Sequence, residues 1–314
     1  MLKVGMVGIG GISGAHIPAW EAMEETHLTA LCDIRPERLE AYPDKHLYTD
    51  FEEMLKGEQL DILDICLPTY LHADYAVRAM ERGIHVICEK PVSLKAGDVE
   101  RVYGAARRNN VKFMVAQVLR FWPEYELLKE LYDSGKYGKL LSGSMSRLGG
   151  IPKWSWDNWM ADEKRSGLVP FDLHIHDLDF LVYAFGNPND AKVHRAKRPD
   201  QDYFNVVYEY PEFFITTEAA WYAAPYPFTA SFRFQFEGAI LAYEKGQCIL
   251  YEENGTVTDL TEAAEGETGG INLPKSDAYA NEIRYFTECV LEDHFPERVK
   301  EEELRRVIEI LHRL

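Results

Sequence analysis

Positive charge is what this chain has too little of. Its 314 residues carry 34 Lys and Arg against 52 Asp and Glu, a formal charge of -18. That balance repels nucleic acid and anionic membrane surfaces at long range, so neither is an expected partner and any phosphate site has to be local. Paired cysteine is missing as well. Cys32, Cys66, Cys88, Cys248 and Cys289 are odd in number, widely scattered and without a C-x-x-C pair. Neither a zinc site nor a disulfide framework is indicated, and the expectation is buried, reduced thiols. No apolar stretch reaches the ~18 residues that span a bilayer. The opening MLKVGMVGIGGISGAH is broken by glycines and lacks the apolar region and cleavage site of a signal peptide. The chain also lacks low-complexity segments and internal repeats. What it has, 46% hydrophobic and 12% aromatic residues, suits a folded globular protein long enough for two domains. A soluble, cytoplasmic protein is expected.

Short apolar runs alternate with helical patterns through residue 118. Leu2–Val7, Leu28–Cys32, Ile62–Cys66, Ile84–Cys88 and Lys112–Ala116 read as buried strands; Ser13–Met23, Phe51–Lys56, Ala73–Arg82 and Ala96–Arg108 read as helices. Asp50 with Glu53 makes a capping box, and Gly83 is placed to stop the third helix. This alternation predicts an α/β Rossmann domain with a doubly wound parallel sheet over 1–118. Residues 119–314 read differently: a helix near Pro123–Asp133, a strand ending at Arg147, a tryptophan-rich loop, a helix over Phe171–Phe185, then successive strands from about 190 to 258. In Phe228–Phe236 every second residue is apolar, a period of two. A loop over 259–275 and two helices, about 277–293 and 301–313, close the chain. The second domain is therefore expected to be α+β with a large, mostly antiparallel open sheet that binds substrate and carries subunit contacts.

Gly8-Ile9-Gly10-Gly11-Ile12-Ser13 follows the first strand and opens a helix. It is the dinucleotide fingerprint with serine at the third glycine position. Gly8 permits the tight turn, Gly10 lets a pyrophosphate approach the backbone, and the helix N-terminus supplies free N–H groups. Asp33 ends the second strand 23 residues after Gly10. It reads either as a turn residue or as the carboxylate that bonds the adenosine ribose and repels a 2′-phosphate, which favours NAD over NADP. Arg35 and Arg38 are close enough to soften that repulsion, so NADP stays open.

Glu89-Lys90-Pro91 ends a buried strand, where ligands of open parallel sheets bind. Taken alone it is a surface ion pair and a loop proline. Together with Ile65-Cys-Leu-Pro68-Thr-Tyr-Leu-His72, Gly83-Ile-His-Val-Ile-Cys-Glu89-Lys90-Pro91, Arg120-Phe121, Gly135-Lys-Tyr-Gly138 and Asp172-x-x-x-His176-x-x-Asp179, it resembles the signature of the Gfo/Idh/MocA oxidoreductases over essentially the whole chain. That resemblance implies an NAD(P)-dependent dehydrogenase acting on CH–OH groups of a sugar, cyclitol or related polyol. Lys90 would contact the reacting oxygen and the nicotinamide ribose, and its bond to Pro91 is a candidate cis peptide. Pro68 and His72 would line the cofactor site, although His72 also reads as a plain helix-start residue.

Carbinol oxidation needs a group that takes the hydroxyl proton, and histidine, with an unperturbed pKa of about 6.5, suits that task. Asp172 and His176 lie four residues apart on one helical face. On spacing alone they are a surface pair; the resemblance makes His176 the acid/base and Asp172 the group that anchors a neighbouring hydroxyl. His174 stands where the family often has glycine, so it either narrows the pocket or competes as acid/base. Asp172-x-His174-x-His176 superficially resembles a metal cluster, but a helical spacing of two points the histidines apart, and no metal is expected. Trp154, Trp156 and Trp159 offer flat faces to sugar C–H groups or serve as packing. Arg120 and Lys153 could bind an acidic substrate group or pair with one of the many carboxylates. By analogy the open sheet face implies a homodimer or homotetramer. Two other functions remain: an NAD-retaining glycosidase, and a non-catalytic dinucleotide-binding protein that would need none of Lys90, Asp172 and His176.

Overall fold

A computed structural model of the protein describes residues 1–261 and 276–314. In chain order the first elements are β1 (Leu2–Val7), α1 (Ser13–Glu21), β2 (Thr26–Cys32), β3 (His46–Tyr48), α2 (Phe51–Gly57), β4 (Ile62–Ile65), α3 (His72–Met80), β5 (His85–Glu89), α4 (Ala96–Asn109) and β6 (Phe113–Ala116). Then come α5 (Pro123–Ser134), β7 (Leu140–Gly150), α6 (Glu163–Ser166), α7 (Ile175–Phe185), β8 (Asp190–Arg198), β9 (Gln201–Glu209), β10 (Phe214–Tyr222), β11 (Thr229–Phe236), β12 (Ala239–Glu244), β13 (Gln247–Glu252) and β14 (Val257–Asp259). Of the loop expected over 259–275, residues 262–275 lie outside the described residues. The helices α8 (Ala278–Leu291) and α9 (Glu301–Leu311) follow.

Chain packing divides these elements into two units. The first holds Met1–Val118 and the C-terminal stretch through Ile308; the second runs from Leu119 through the large sheet and includes Glu309–Leu314. The sequence reading put everything after 118 into the second domain. Instead α8 and most of α9 pack with the first unit, because the buried face of α8 (Ala278, Tyr279, Ile283, Phe286) lies where α8 meets α1 and β5.

In the first unit six strands pair in the order β3-β2-β1-β4-β5-β6, every neighbouring pair parallel. Strands covered on both faces bury continuous apolar runs: Val4, Met6, Ile62, Leu63, Ile65, Val86, Ile87 and Met114 are all fully or almost fully buried. The order reverses at β1, with β2 on one side and β4 on the other, which opens a crevice beyond the strand ends where ligands of such sheets bind. The Asp50 carboxylate accepts the Glu53 amide at 2.9 Å, as the capping signal required, and Gly83 after α3 has φ +79°.

In the second unit eight strands run β14-β13-β12-β11-β7-β10-β9-β8. Among the described strands only β7 with β10 is parallel. Along β11, Phe232, Phe234 and Phe236 are buried while Thr229, Arg233 and Gln235 are exposed, so the period of two separates a covered face from an open one. Tyr125 of α5 meets Phe180 of α7 and Phe232 of β11 edge-on at about 5 Å, which fixes these helices as the cover.

Candidate active site

The glycine-rich turn is built around a backbone that no side chain could share. Gly8 has φ +93°, and a Cβ there would sit 2.6 Å from the Cys66 carbonyl oxygen. A Cβ on Gly10 would meet nothing within 4 Å, so its freedom from a side chain serves space above the turn rather than packing. The Ser13 hydroxyl donates to the Gly10 carbonyl at 2.9 Å. Gly11 is exposed, and Ile12 caps α1 without any side-chain hydrogen bond. The first-turn amides of α1 are thus not consumed by a capping side chain, and the helix dipole favours an anion there. The turn fits a dinucleotide pyrophosphate.

Asp33, at the end of the second strand, is buried and fully engaged. Its Oδ2 accepts the Ile9 amide at 2.8 Å and Arg35 Nη2 at 2.9 Å, and its Oδ1 accepts the Arg35 amide and Nε, both at 2.9 Å. Burial pulls this carboxyl upward, but the hydrogen bonds from Arg35 and Ile9 outweigh it and hold the group below the ordinary Asp value. A carboxylate has about four lone-pair positions, and here all four are taken. A ribose hydroxyl reaches Asp33 only where Arg35 yields a contact.

At the end of β5, Lys90 is half-buried and its peptide bond to Pro91 is cis. Two residues expected to face a cofactor are structural instead. Glu89 is buried, accepts the Lys90 amide on Oε2 at 3.0 Å and faces His16 Nε2 at 3.2 Å. His72 is buried between carbonyls, with Nδ1 2.7 Å from the Pro91 oxygen and Nε2 2.6 Å from the Leu67 oxygen. Burial lowers its pKa, with the two backbone bonds opposing. His72 therefore braces the loops after β4 and β5, and the half-buried Pro68 is left at the surface of that brace.

In the second unit, Pro170–His174 winds as a π turn that runs directly into α7. Single π turns often mark functional sites, and this one sorts the polar residues that follow. Asp172 and His176 stay half-buried at the surface. His174 between them is fully buried: its Nε2 lies 2.7 Å from the Tyr208 hydroxyl and its ring packs on Phe204 and Tyr208. Burial, with the Arg147 charge, pushes its pKa down to about 3. It is a neutral core residue, which removes it as a rival acid/base. Asp177 accepts from Arg147 at 3.0 Å; burial raises its carboxyl, and Arg147 opposes. Asp179 holds Arg120 in a fork at 2.7 and 2.8 Å. Arg120 is fully buried and presents no surface to a ligand, so its expected role in substrate binding is replaced by a structural one.

Trp154 and Trp156 are 70% and 40% exposed, and Trp159 is half-buried. The loop that carries them has Asp157 and Asn158 at φ +50°, the left-handed region that these two residue types tolerate best after glycine. Arg165 holds it, donating to the Asp157 carboxylate at 2.7 Å, the Asp157 carbonyl at 2.8 Å and the Asp162 carboxylate at 3.1 Å. Sequence reasoning passed over His16 and Asp64, which lie buried beside Glu89; a lone acid inside the apolar run Ile62-Leu63-Asp64-Ile65 was the available signal.

Comparison with known proteins agrees with this architecture. Residues 2–117 match the model of an oxidoreductase family with an NAD-binding Rossmann fold, and residues 125–242 match the GFO/IDH/MocA C-terminal domain. The chain belongs to the Gfo/Idh/MocA oxidoreductase family, and residues 2–117 are that family's NAD-binding Rossmann domain. It is 30% identical over 189 residues to D-apiose dehydrogenase of Paraburkholderia graminis, covering 59% of this chain and 50% of that protein. It is 27% identical over 190 residues to myo-inositol 2-dehydrogenase of Thermotoga maritima, covering 59% and 55%. The matched stretch spans about half the length of these curated relatives. A levoglucosan dehydrogenase solved with NADH and levoglucosan superposes with a TM-score of 0.84 at 18% identity, covering 99% of this chain and 95% of that one; that likeness establishes the fold.

Proposed function

We propose that the protein is an NAD-dependent dehydrogenase that oxidises a secondary hydroxyl of a sugar, cyclitol or related polyol. The observation that carries this reading is the sorting of residues 172–179. Asp177, Asp179 and His174 are buried against Arg147, Arg120 and Tyr208, while Asp172 and His176 are only half-buried. A bound nicotinamide would accept hydride from the carbinol carbon. His176 takes the hydroxyl proton, Lys90 favours the developing alkoxide, and Asp172 anchors a neighbouring hydroxyl. Gly8–Ser13 hold the pyrophosphate, and Asp33, shared with Arg35, meets the adenosine ribose of NAD. The exposed Trp154 offers a stacking face for the C–H side of a sugar ring.

The named relatives are sugar and inositol dehydrogenases, which gives the glycosidase alternative no support. Residues 1–118 serve the dinucleotide, and the second domain serves substrate and subunit contacts through the open sheet face; light scattering on the purified protein should give a dimer or tetramer mass, and a monomer would remove that part. Five unpaired buried thiols support a reducing, cytoplasmic setting, and no described helix is long and apolar enough to cross a membrane.

The test is NAD reduction followed at 340 nm across inositols, aldoses and sugar acids. His176→Ala should lower kcat by ~10²–10⁴-fold, the usual range for a general base, with NADH affinity within twofold. Near-normal turnover in that variant rejects the assignment, and glycoside cleavage without net NADH redirects it.

A further inference from the structure

Beneath the glycine-rich turn lies a charged cluster that the reading above leaves without a role. His16, in α1, is fully buried; so is Asp64, in the middle of β4. His16 Nδ1 is 2.8 Å from Asp64 Oδ2, and Nε2 is 3.2 Å from Glu89 Oε1. Trp20 Nε1 donates to the same Asp64 Oδ2 at 2.7 Å. The Cys66 thiol sits 3.6 Å from Asp64 Oδ1 and 3.7 Å from His16 Nδ1, and the Tyr279 ring of α8 lies 5.8 Å from the imidazole. On the far side Glu89 Oε2 accepts the Lys90 amide at 3.0 Å.

Counting protons narrows what this cluster is. Each ring nitrogen of His16 faces an oxygen of one acid, while Asp64 Oδ2 also accepts from Trp20 and Glu89 Oε2 from the Lys90 amide. A neutral imidazole has one N–H and would need a proton on the acid that its other nitrogen faces; a ring with two protons donates to both acids directly. Burial opposes that charge, but the Asp64 carboxylate, the Cys66 thiol and their hydrogen bonds outweigh it and raise His16 well above the ordinary histidine value. Cys66 itself is pushed up to about 12, mainly by burial and then by Asp64, and stays a neutral thiol. An imidazolium also has no lone pair for a metal, although His16, Asp64 and Cys66 put three ligand atoms within 4.8 Å of one another.

Resting on the dehydrogenase reading, we propose that His16 is a positioning residue for Lys90: as a buried imidazolium it clamps Glu89 against Asp64, and Glu89 in turn fixes the backbone at Lys90. The clamp ties the helix that receives the pyrophosphate to the strand end that presents the lysine. Glu89 thus acts through the peptide it holds rather than by touching substrate.

The test uses the full chain with ¹⁵N-labelled histidine. In a two-bond ¹H–¹⁵N correlation spectrum, one ring, identified by its loss in His16→Asn, should keep both nitrogens protonated from pH 6 to 8 and revert to a single tautomer in Glu89→Gln. A neutral His16 ring at pH 7 overturns the proposal, as does stoichiometric zinc retained after dialysis against a chelator. His16→Asn, or His16→Gln where the first variant does not fold, should change the rate of Lys90 acylation by a water-soluble succinimidyl ester severalfold, read by peptide mass spectrometry. It should also lower kcat on the order of 10- to 100-fold, the scale of a misplacement of about 1 Å, with NADH affinity within twofold. Unchanged Lys90 reactivity, or a loss that appears only as lower Tm and weaker NADH binding, overturns it. Wild-type protein that turns over no polyol sinks the dehydrogenase reading alone, since the spectrum, the zinc content and the Lys90 labelling are read without substrate.

Discussion

Between Asp172 and Asp179 the chain buries three polar side chains, His174, Asp177 and Asp179, and leaves Asp172 and His176 half-buried. The buried pairs Arg120–Asp179 and Arg147–Asp177 each neutralise a carboxylate that would be costly to bury alone. Arg120→Ala should therefore cost about 3–5 kcal/mol of stability, measured by urea unfolding, with NADH affinity unchanged. A variant of normal stability that has lost only substrate affinity would restore Arg120 to the binding site. Lys90, Asp172 and His176 stood out only through the resemblance to a family signature, since spacing alone reads as surface pairs. The burial of Arg120, His72, Glu89 and His174 was not legible, since each depends on a partner distant in the chain: Asp179, Pro91, His16 and Tyr208. Spacing showed that His174 points away from its neighbours, but not that Tyr208 and Phe204 would receive it.

At the scale of elements, the turn before α1 and the turn's two glycines make separable demands. Gly8→Ala puts a Cβ against the Cys66 carbonyl at a positive φ, so it should lower Tm by several degrees as well as weaken NADH binding. Gly10→Ala meets no neighbour in the protein; Tm should stay within a degree or two while NADH affinity falls at least tenfold, about 1.4 kcal/mol. Equal losses of stability in the two variants would contradict this division. The parallel strands and long helices were readable because buried runs and capping residues are local signals. β3 was not: His46–Tyr48 is only three residues long, with little burial. Nor was the parallel pairing of β7 with β10, because a period of two gives the buried face and not the partner's direction. The π turn over Pro170–His174 carries no distinctive residue pattern.

For the whole molecule the buried histidines make stability depend on pH. His174 titrates at about 3 in the folded protein against about 6.5 when unfolded. Between those values the unfolded chain binds a proton that the native state refuses, so stability falls as pH drops below 6.5, by about 2 kcal/mol at pH 5. His72 is displaced in the same direction and His16 in the opposite one. His174→Leu should flatten the acid side of a Tm-against-pH curve between pH 6.5 and 4.5, while leaving the pH profile of turnover in place. An unaltered acid slope would mean that His174 is charged in the native protein.

The first unit is not one continuous length of chain, since α8 rejoins it from beyond the large sheet and lays Tyr279 beside His16. During synthesis residues 1–118 emerge well before α8 and lack this cover until the large sheet has also been made. A nascent chain stalled before α8 would therefore carry the glycine-rich turn over an unfinished floor.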